Sequence, residues 1–247
     1  MNINLENKVV IITGSSRGIG KDMAIHFAKE GAKVVINYCK SDIEAKLLYK
    51  KIVAFNKNVI IVKADISKEP EVVKLCKKVH DSFGHIDVLI NNAGICEDDY
   101  LFYLNLEKWN RVISTNLTGT YLCCRIIGHY MMKNGYGKII NISSLKGQRG
   151  SEGQANYAAS KAGMIGFTKS IAREFGDYNV AVNVVCPGYI KTDLNRFDFT
   201  KANIARQMST LEIEQSRNDL LNFVLYMSSE CMQGISGQVF NLDSRIK

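Results

Sequence analysis

The chain has 247 residues, of which 46% are hydrophobic and 23% are charged, so it can bury the core of one ordinary globular domain. Its formal charge of +8 favours an anionic partner, but no basic cluster with interleaved aromatic residues argues for nucleic acid. Neither a signal-peptide pattern nor a run of about 18 apolar residues is present, which argues against a membrane span. The seven cysteines include no CxxC pair, so we expect reduced thiols, a cytoplasmic protein and no metal site.

Short, β-branched apolar segments alternate with segments of helical length along the chain. Continuous apolar runs are typical of strands buried on both faces, and their alternation with helices predicts a parallel sheet covered on both sides. The predicted strands lie at 9–12, 34–36, 59–62, 88–90, 139–142, 180–185 and 238–240, and the clearest helices at 20–30, 41–56, 107–133 and 152–176. Ligands of such sheets bind beyond the carboxyl ends of the strands, so the informative residues should follow the apolar segments.

The first predicted strand is followed by a glycine-rich turn, TGSSRGIG, over residues 13–20. Gly14, Gly18 and Gly20 let the backbone approach a pyrophosphate closely, and the next helix offers free N–H groups and a positive dipole end. Any tight connection between a strand and a helix can carry glycines. The position of this turn, after the first strand and before a helix, favours a dinucleotide site.

The end of the second predicted strand indicates which dinucleotide binds. NAD sites usually place an acid there, roughly 20 residues after the glycines, to bind the ribose hydroxyls. Here the sequence is Asn37-Tyr38-Cys39-Lys40, without a carboxylate. Arg17 and Lys40 are in position to bind a 2′-phosphate, and an arginine can do so through two hydrogen bonds. The pattern favours NADP(H) over NAD(H), with Asn37 at the ribose; the alternative is that both cations are ordinary surface residues.

The strongest chemical signal is a tyrosine four residues before a lysine, Tyr157 and Lys161, within the predicted helix 152–176. Residues four apart share a helix face, so the phenol and the ammonium group should project into one site. A nearby cation favours phenolate, and we expect it to lower the tyrosine pKa from near 10 toward neutrality, as suits a proton donor. A pair on the protein surface is the alternative.

These motifs together resemble the short-chain dehydrogenase/reductase family, through TGxxxGIG at 13–20, NNAG at 91–94, Ser144, and the Tyr157 and Lys161 pair. The resemblance extends from about 8 to 243 and is greatest to the 3-oxoacyl-(acyl-carrier-protein) reductases of fatty acid biosynthesis. It implies a single-domain α/β fold, a Rossmann-type three-layer sandwich with a doubly wound parallel sheet of about seven strands. The single domain would comprise a cofactor half over about 1–115 and a catalytic and substrate half over about 116–247.

The resemblance implies a role for each residue of the catalytic half. Ser144, rather than Ser143, hydrogen-bonds the carbonyl oxygen, because its spacing from Tyr157 fits the family pattern. Tyr157 is the general acid, and Lys161 anchors the nicotinamide ribose. Asn116 holds a water that relays protons to Lys161, although a buried asparagine can equally be explained by ordinary hydrogen bonding.

On the cofactor side, the resemblance assigns residues 91–94 to the adenosine side and residues 187–192 to nicotinamide, with Thr192 at the carboxamide. Asp65 matches the family's adenine-contacting acid, and capping of the next helix before Ser67 is an equally weighted alternative. The expected cofactor-binding residues are Gly14, Ser16, Arg17, Gly18, Ile19, Gly20, Asn37, Asp65, Ile66, Asn92, Ala93, Gly94, Tyr157, Lys161, Pro187, Gly188, Ile190 and Thr192.

Three functions are compatible with this pattern. The first is NADPH-dependent reduction of a 3-oxoacyl thioester carried by acyl carrier protein or coenzyme A. The second is reduction or oxidation of a free small ketone or alcohol. The third is a dinucleotide-sensing regulator, which would need the glycine turn but not the Ser144, Tyr157 and Lys161 set.

The family's assembly and carrier contacts give further expectations. Such reductases are usually homotetramers built on two long helices, here 107–133 and 152–176. Relatives that act on acyl carrier protein tend to have basic residues where this chain has 134–136 and 177–179; here only the nearby Lys133 and Arg173 are basic, so we expect weak docking of the carrier. Two segments depart from the family pattern, namely 210–213 and the 243–245 segment that replaces Asp-Gly-Gly.

Overall fold

The computed structural model describes residues 3–191 and 199–245 and contains one sheet of seven parallel strands in the order β3-β2-β1-β4-β5-β6-β7. The strands are β1 Val9–Ile12, β2 Lys33–Tyr38, β3 Val59–Lys63, β4 Val88–Asn91, β5 Gly137–Ile142, β6 Val180–Pro187 and β7 Val239–Leu242. The helices are α1 Gly18–Lys29, α2 Asp42–Val53, α3 Glu69–Phe83, α4 Leu106–Ile113, α5 Gly119–Asn134, α6 Lys146–Arg149, α7 Ala155–Gly176, α8 Phe199–Met208 and α9 Ser216–Ser228. The predicted α/β fold with a parallel sheet is confirmed.

Helices cover both faces of this sheet. In β1, Val10 and Ile12 belong to a core shared with α1, α2 and α9, whereas Val9 and Ile11 belong to a core shared with α3, α5 and α7. All four side chains are fully buried. The burial on both faces explains why the strands are continuous apolar segments in the sequence.

Strand order reverses beside β1, which pairs with β2 on one side and with β4 on the other. The register aligns Ile12 with both Ile36 and Ile90, so the loops that follow these three strands emerge together at the carboxyl edge. Such a reversal leaves a crevice between neighbouring loops, where ligands of doubly wound sheets bind.

The long helix predicted over 107–133 is interrupted by one π-helical turn. It comprises α4, a π segment at Ser114–Thr118 and α5, and the π segment contains Asn116. A π turn inserts an extra residue and is often found at functional sites. Among the described residues, none of the helices is both long and apolar enough to cross a bilayer.

Candidate active site

The glycines of the turn after β1 are required by close packing. Gly14 has a φ of 62°, and a methyl group on it would lie 2.8 Å from the Cα atom of Ala93. A methyl group on Gly20 would lie 2.5 Å from the side-chain nitrogen of Asn92. Gly18 also has a positive φ, of 58°, and starts α1. The turn after β1 therefore packs directly against the turn after β4.

Hydrogen bonds hold these two turns together. The Thr13 hydroxyl oxygen accepts the backbone N–H groups of Asn92 and Ala93, each at 3.0 Å. The Asn92 amide donates to the Thr13 carbonyl at 3.0 Å and to that of Gly14 at 3.3 Å. Sequence reasoning did not single out Thr13, although it opens the recognised turn.

The side chain of Asn37, a residue predicted at the ribose, lies near the end of β2 and is directed into the protein. It is 2% exposed. Its carbonyl oxygen accepts the Gly14 N–H at 3.2 Å, and its amide donates to the carbonyl oxygens of Ala64 at 3.1 Å and Val62 at 3.4 Å. Because every polar atom of this side chain has a backbone partner, Asn37 positions the glycine turn, and the exposed cations Arg17 and Lys40 remain beside it.

Asp65 bonds within the loop after β3 and does not cap α3, whose N-cap residue is Lys68. The Asp65 Oδ1 atom accepts the backbone N–H of Ser67 at 3.0 Å and the Ser67 hydroxyl at 2.7 Å. Ile66 is buried against Gly119 of α5, where a methyl group would lie 2.8 Å from its Cδ1 atom. These contacts fix the loop after β3 against the long helix.

The first turn of α1 has the features of an anion site. No side chain caps this 12-residue helix, and no acidic residue lies in its first turn. Together with the space left by the glycines and the exposed Arg17, the free N–H groups fit the pyrophosphate of a dinucleotide. The other predicted residues of this half lie in the loops after β1, β3 and β4 or in the first turn of α1, namely Ser16, Ile19, Ile66, Ala93 and Gly94.

Tyr157 and Lys161 lie on one face of α7, and the Lys161 Nζ atom is 5.7 Å from the centre of the tyrosine ring. Nζ donates to the Ile142 carbonyl at the end of β5, at 2.7 Å, and Lys161 is 3% exposed. Burial lowers the pKa of Lys161 to about 8. The charged form of Lys161 is therefore less strongly favoured than that of a lysine in water.

The expected lowering of the tyrosine pKa is wrong for the protein alone. Burial, followed by the nearby Cys96, raises the pKa of Tyr157 to about 12, and its hydrogen bond with Ser144 acts in the opposite direction. Desolvation disfavours the phenolate form of Tyr157, and the Lys161 ammonium group is directed to the Ile142 carbonyl oxygen. Tyr157 is consequently protonated at neutral pH.

The structure separates the two serines after β5. The Ser143 hydroxyl donates to the Lys161 carbonyl at 2.8 Å and is buried behind α7. Ser144 is partly exposed, accepts the Lys146 N–H at 3.2 Å and hydrogen-bonds Tyr157. Ser144 is therefore the serine that faces the site.

Asn116 is fully buried and bonded to the loop after β4. Its oxygen accepts the Ile95 N–H at 2.8 Å, and its amide donates to the Ile95 carbonyl at 3.0 Å and to Ser160 at 3.1 Å. A methyl group on Gly94 would lie 3.3 Å from the Asn116 oxygen and 3.7 Å from Lys161 Nζ. Asn116 thus positions the loop that separates the catalytic pair from the glycine turn.

The sequence did not predict a polar cluster that lies beside Tyr157. Gln154, which precedes α7 and is buried, donates to Asp98 Oδ1 at 2.7 Å and to the Cys96 sulfur at 3.0 Å, and accepts from Lys146. Only its position three residues before the tyrosine could have drawn attention to Gln154.

The segment after β6 forms the other side of the site. Pro187 ends the strand, the Gly188 N–H donates to the Leu242 carbonyl at 3.0 Å, and Ile190 is buried. Thr192, predicted at the nicotinamide carboxamide, lies outside the described residues.

The comparisons with known proteins agree with this geometry. Residues 8–203 match the family described as short chain dehydrogenase. The chain belongs to that family. It is 40% identical over 240 residues to a 3-oxoacyl-(acyl-carrier-protein) reductase of Synechocystis sp., covering 97% of this chain and 96% of the relative. Relatives of the same name from Staphylococcus aureus and Staphylococcus epidermidis are 38% and 36% identical, covering 96% of this chain and 96% and 98% of their own lengths.

We expect Asn37→Asp to lower the free energy of unfolding by roughly 3 kcal/mol or more, because it places a buried carboxylate against two carbonyl oxygens. Urea denaturation at neutral pH measures this change. Asn58→Asp makes the same chemical change at an exposed position and should be nearly neutral. Equal stability of the two variants would contradict the assigned hydrogen bonds.

Proposed function

We propose that this protein is an NADPH-dependent reductase of 3-oxoacyl thioesters. The proposal rests on one observation: Ser144, Tyr157 and Lys161 converge at the carboxyl edge of the sheet, beside a glycine turn suited to a dinucleotide. The relatives named 3-oxoacyl-(acyl-carrier-protein) reductases, which align over nearly the whole chain, support the choice of substrate. A dinucleotide sensor would not require the catalytic set.

A bound nicotinamide cofactor supplies the hydride that reduces the carbonyl carbon. The hydroxyl groups of Ser144 and Tyr157 donate hydrogen bonds to the carbonyl oxygen and stabilise its developing negative charge. Tyr157 then gives its proton to that oxygen as the general acid. Its raised pKa keeps the phenol protonated until this step, and the Lys161 cation beside the ring stabilises the phenolate that is left.

We place the return of the proton to Tyr157 on the Lys161 side of the site. The pKa of about 8 lets Lys161 exchange a proton near neutral pH. Asn116 lies across Gly94 from its ammonium group, where it would hold the relaying water. Lys161 would also bind the ribose of the nicotinamide.

For the cofactor, we propose NADP(H). The exposed Arg17 and Lys40 flank the site, and no carboxylate follows β2 in the position that would repel a 2′-phosphate. We assign Asp65 to the adenine, since only its Oδ1 atom bonds to Ser67, while its Oδ2 atom lies 3.9 Å from the exposed ammonium group of Lys68. Pro187 to Ile190 would line the nicotinamide, with Thr192 at its carboxamide.

Arg17→Glu tests the cofactor assignment. We expect a loss of NADPH affinity of about tenfold or more and little change for NADH, because only NADPH has the 2′-phosphate. Titration of nicotinamide fluorescence measures both dissociation constants. Lys29→Glu, at the far end of α1, makes the same kind of charge reversal on an exposed residue and should affect neither. Equal losses for both cofactors would contradict the assignment.

Tyr157→Phe tests the chemistry. We expect NADPH affinity to remain close to that of the unaltered protein and kcat to fall roughly 100-fold or more, the usual contribution of a general acid. The assay follows NADPH oxidation with an acetoacetyl thioester, and a free small ketone serves as the competing substrate. A variant that keeps more than about a tenth of kcat would exclude Tyr157 as the acid.

The carrier is proposed to be acyl carrier protein or coenzyme A, with weak docking of the former. Lys133 and Arg173 are exposed near the ends of α5 and α7, where they can meet an acidic carrier. In the described part of the chain all seven cysteines are free, which suits the cytoplasm that we propose as the compartment.

We propose assembly into a homotetramer through α4, α5 and α7. The loop leading into α4 exposes Tyr100, Leu101, Phe102 and Tyr103 to between 59% and 91%, a patch that water-facing surfaces rarely carry. On the outer face of α7, nothing lies within 4 Å of a methyl group placed on Gly166, so a second helix can approach closely there.

We expect Phe102→Ser to shift the sedimentation profile toward smaller species, since it removes the most exposed aromatic ring of the loop. Ile43→Ser removes an equally apolar, 72% exposed side chain from α2 and should leave the profile unchanged. If both variants sediment like the unaltered protein, the loop is not part of the assembly.

A further inference from the structure

The chain after β7 returns to the turn that would lie beside the nicotinamide. The Gly188 N–H donates to the Leu242 carbonyl at 3.0 Å, and the next residue, Asp243, places its carboxylate directly against Gly188. A methyl group on Gly188 would overlap that carboxylate. The Asp243 side chain is 8% exposed, so this charge is largely removed from water.

Arg245 compensates that carboxylate. Its Nε atom is 2.9 Å from Asp243 Oδ1 and 3.0 Å from Oδ2, and its side chain is 18% exposed. Arg245 is the cation that forms an ion pair with Asp243 in the part of the chain that the structure describes. A carboxylate buried under the turn is costly without a paired cation, so the turn depends on this arginine.

The backbone of Arg245 connects the ion pair to two other parts of the site. It forms an antiparallel bridge with Ser209, just after α8, and its carbonyl accepts a hydrogen bond from Arg149 of α6 at 2.9 Å. The neighbouring Ser244 carbonyl accepts the Thr210 N–H at 2.9 Å. Residues 243–245 therefore join the turn after β6, the end of α8 and the helix that follows Ser144.

We propose that Arg245 is a positioning residue for the cofactor: it holds the Asp243 carboxylate beneath Gly188 and so fixes the Pro187–Gly188 turn against the nicotinamide. This inference rests on the proposed function, since it places a nicotinamide at that turn. Arg245 contacts Asp243 and acts through it. The segment 243–245 is one in which the chain departs from its family's pattern, so the sequence resemblance did not assign this role.

The test compares cofactor binding by Arg245→Ala, Arg245→Lys and the double variant Asp243→Asn/Arg245→Ala. Titration of NADPH fluorescence gives the dissociation constant without turnover, and steady-state assays give separate KM values for NADPH and for an acetoacetyl thioester. We expect Arg245→Ala to raise the NADPH dissociation constant about fivefold or more, with a matching rise in the NADPH KM and little change in the thioester KM. Arg245→Lys should retain most of the affinity, because the cation remains.

The double variant separates positioning from a general loss of structure. A neutral amide at position 243 needs no cation, so Asp243→Asn should restore most of the affinity lost in Arg245→Ala. Arg206→Ala is the matched control: it breaks an exposed ion pair with Glu214 near the same end of α8, does not reach Gly188, and should leave NADPH binding unchanged.

Two results would overturn the proposal. One is NADPH binding by Arg245→Ala within twofold of the unaltered protein, and the other is a double variant that binds as weakly as the single one. If Arg245→Ala does not fold, the proposal is overturned when Arg245→Lys and the double variant both bind NADPH about fivefold or more weakly than the unaltered protein. An unaltered protein that binds neither NADPH nor NADH would instead refute the proposed function, and this inference with it.

Discussion

A methyl group on Gly14 would lie 2.8 Å from the Cα atom of Ala93, so the turns after β1 and β4 can meet only because no side chain lies between them. The Thr13 hydroxyl accepts both N–H groups of the second turn and fixes this contact. Since β1 and β4 lie at the point where the strand order reverses, the contact also sets the width of the crevice. The same loop after β4 continues to Ile95, which bonds to Asn116 of the long helix.

At the same edge of the sheet, burial shifts the pKa values of the two residues proposed for proton transfer. Lys161 is buried under Gly94 with its ammonium group against the Ile142 carbonyl, and Tyr157 lies beside it, partly buried. Removal from water disfavours the charged form of each, which lowers the pKa of the lysine and raises that of the tyrosine. Charge that develops here must therefore be stabilised by groups that the fold has already oriented.

Much of the fold and several parts of the site could be predicted from local sequence patterns. The strands are buried on both faces, so each is a continuous apolar segment that can be recognised without tertiary knowledge. The spacing of Tyr157 and Lys161 is a property of any α-helix, and the pair does share a face of α7. The contacts of Asn116, which lies in the π turn, could not be predicted, because they join it to Ile95 on a different loop.

The sequence by itself determined the alternation of strands and helices, the glycine turn and the pairing of Tyr157 with Lys161, because these are short-range patterns. Ser144 and Asn116 were assigned through the resemblance to the family. Only the tertiary structure decided in which direction neighbouring side chains, such as those of Ser143 and Ser144, point and which groups surround them. Ser143 bonds the α7 backbone while Ser144 faces the site, and the Asn37 side chain bonds the glycine turn. The direction of the Tyr157 pKa shift and the pairing of Asp243 with Arg245 beneath Gly188 likewise follow from burial. Burial depends on segments far apart in the chain, and no local pattern records it.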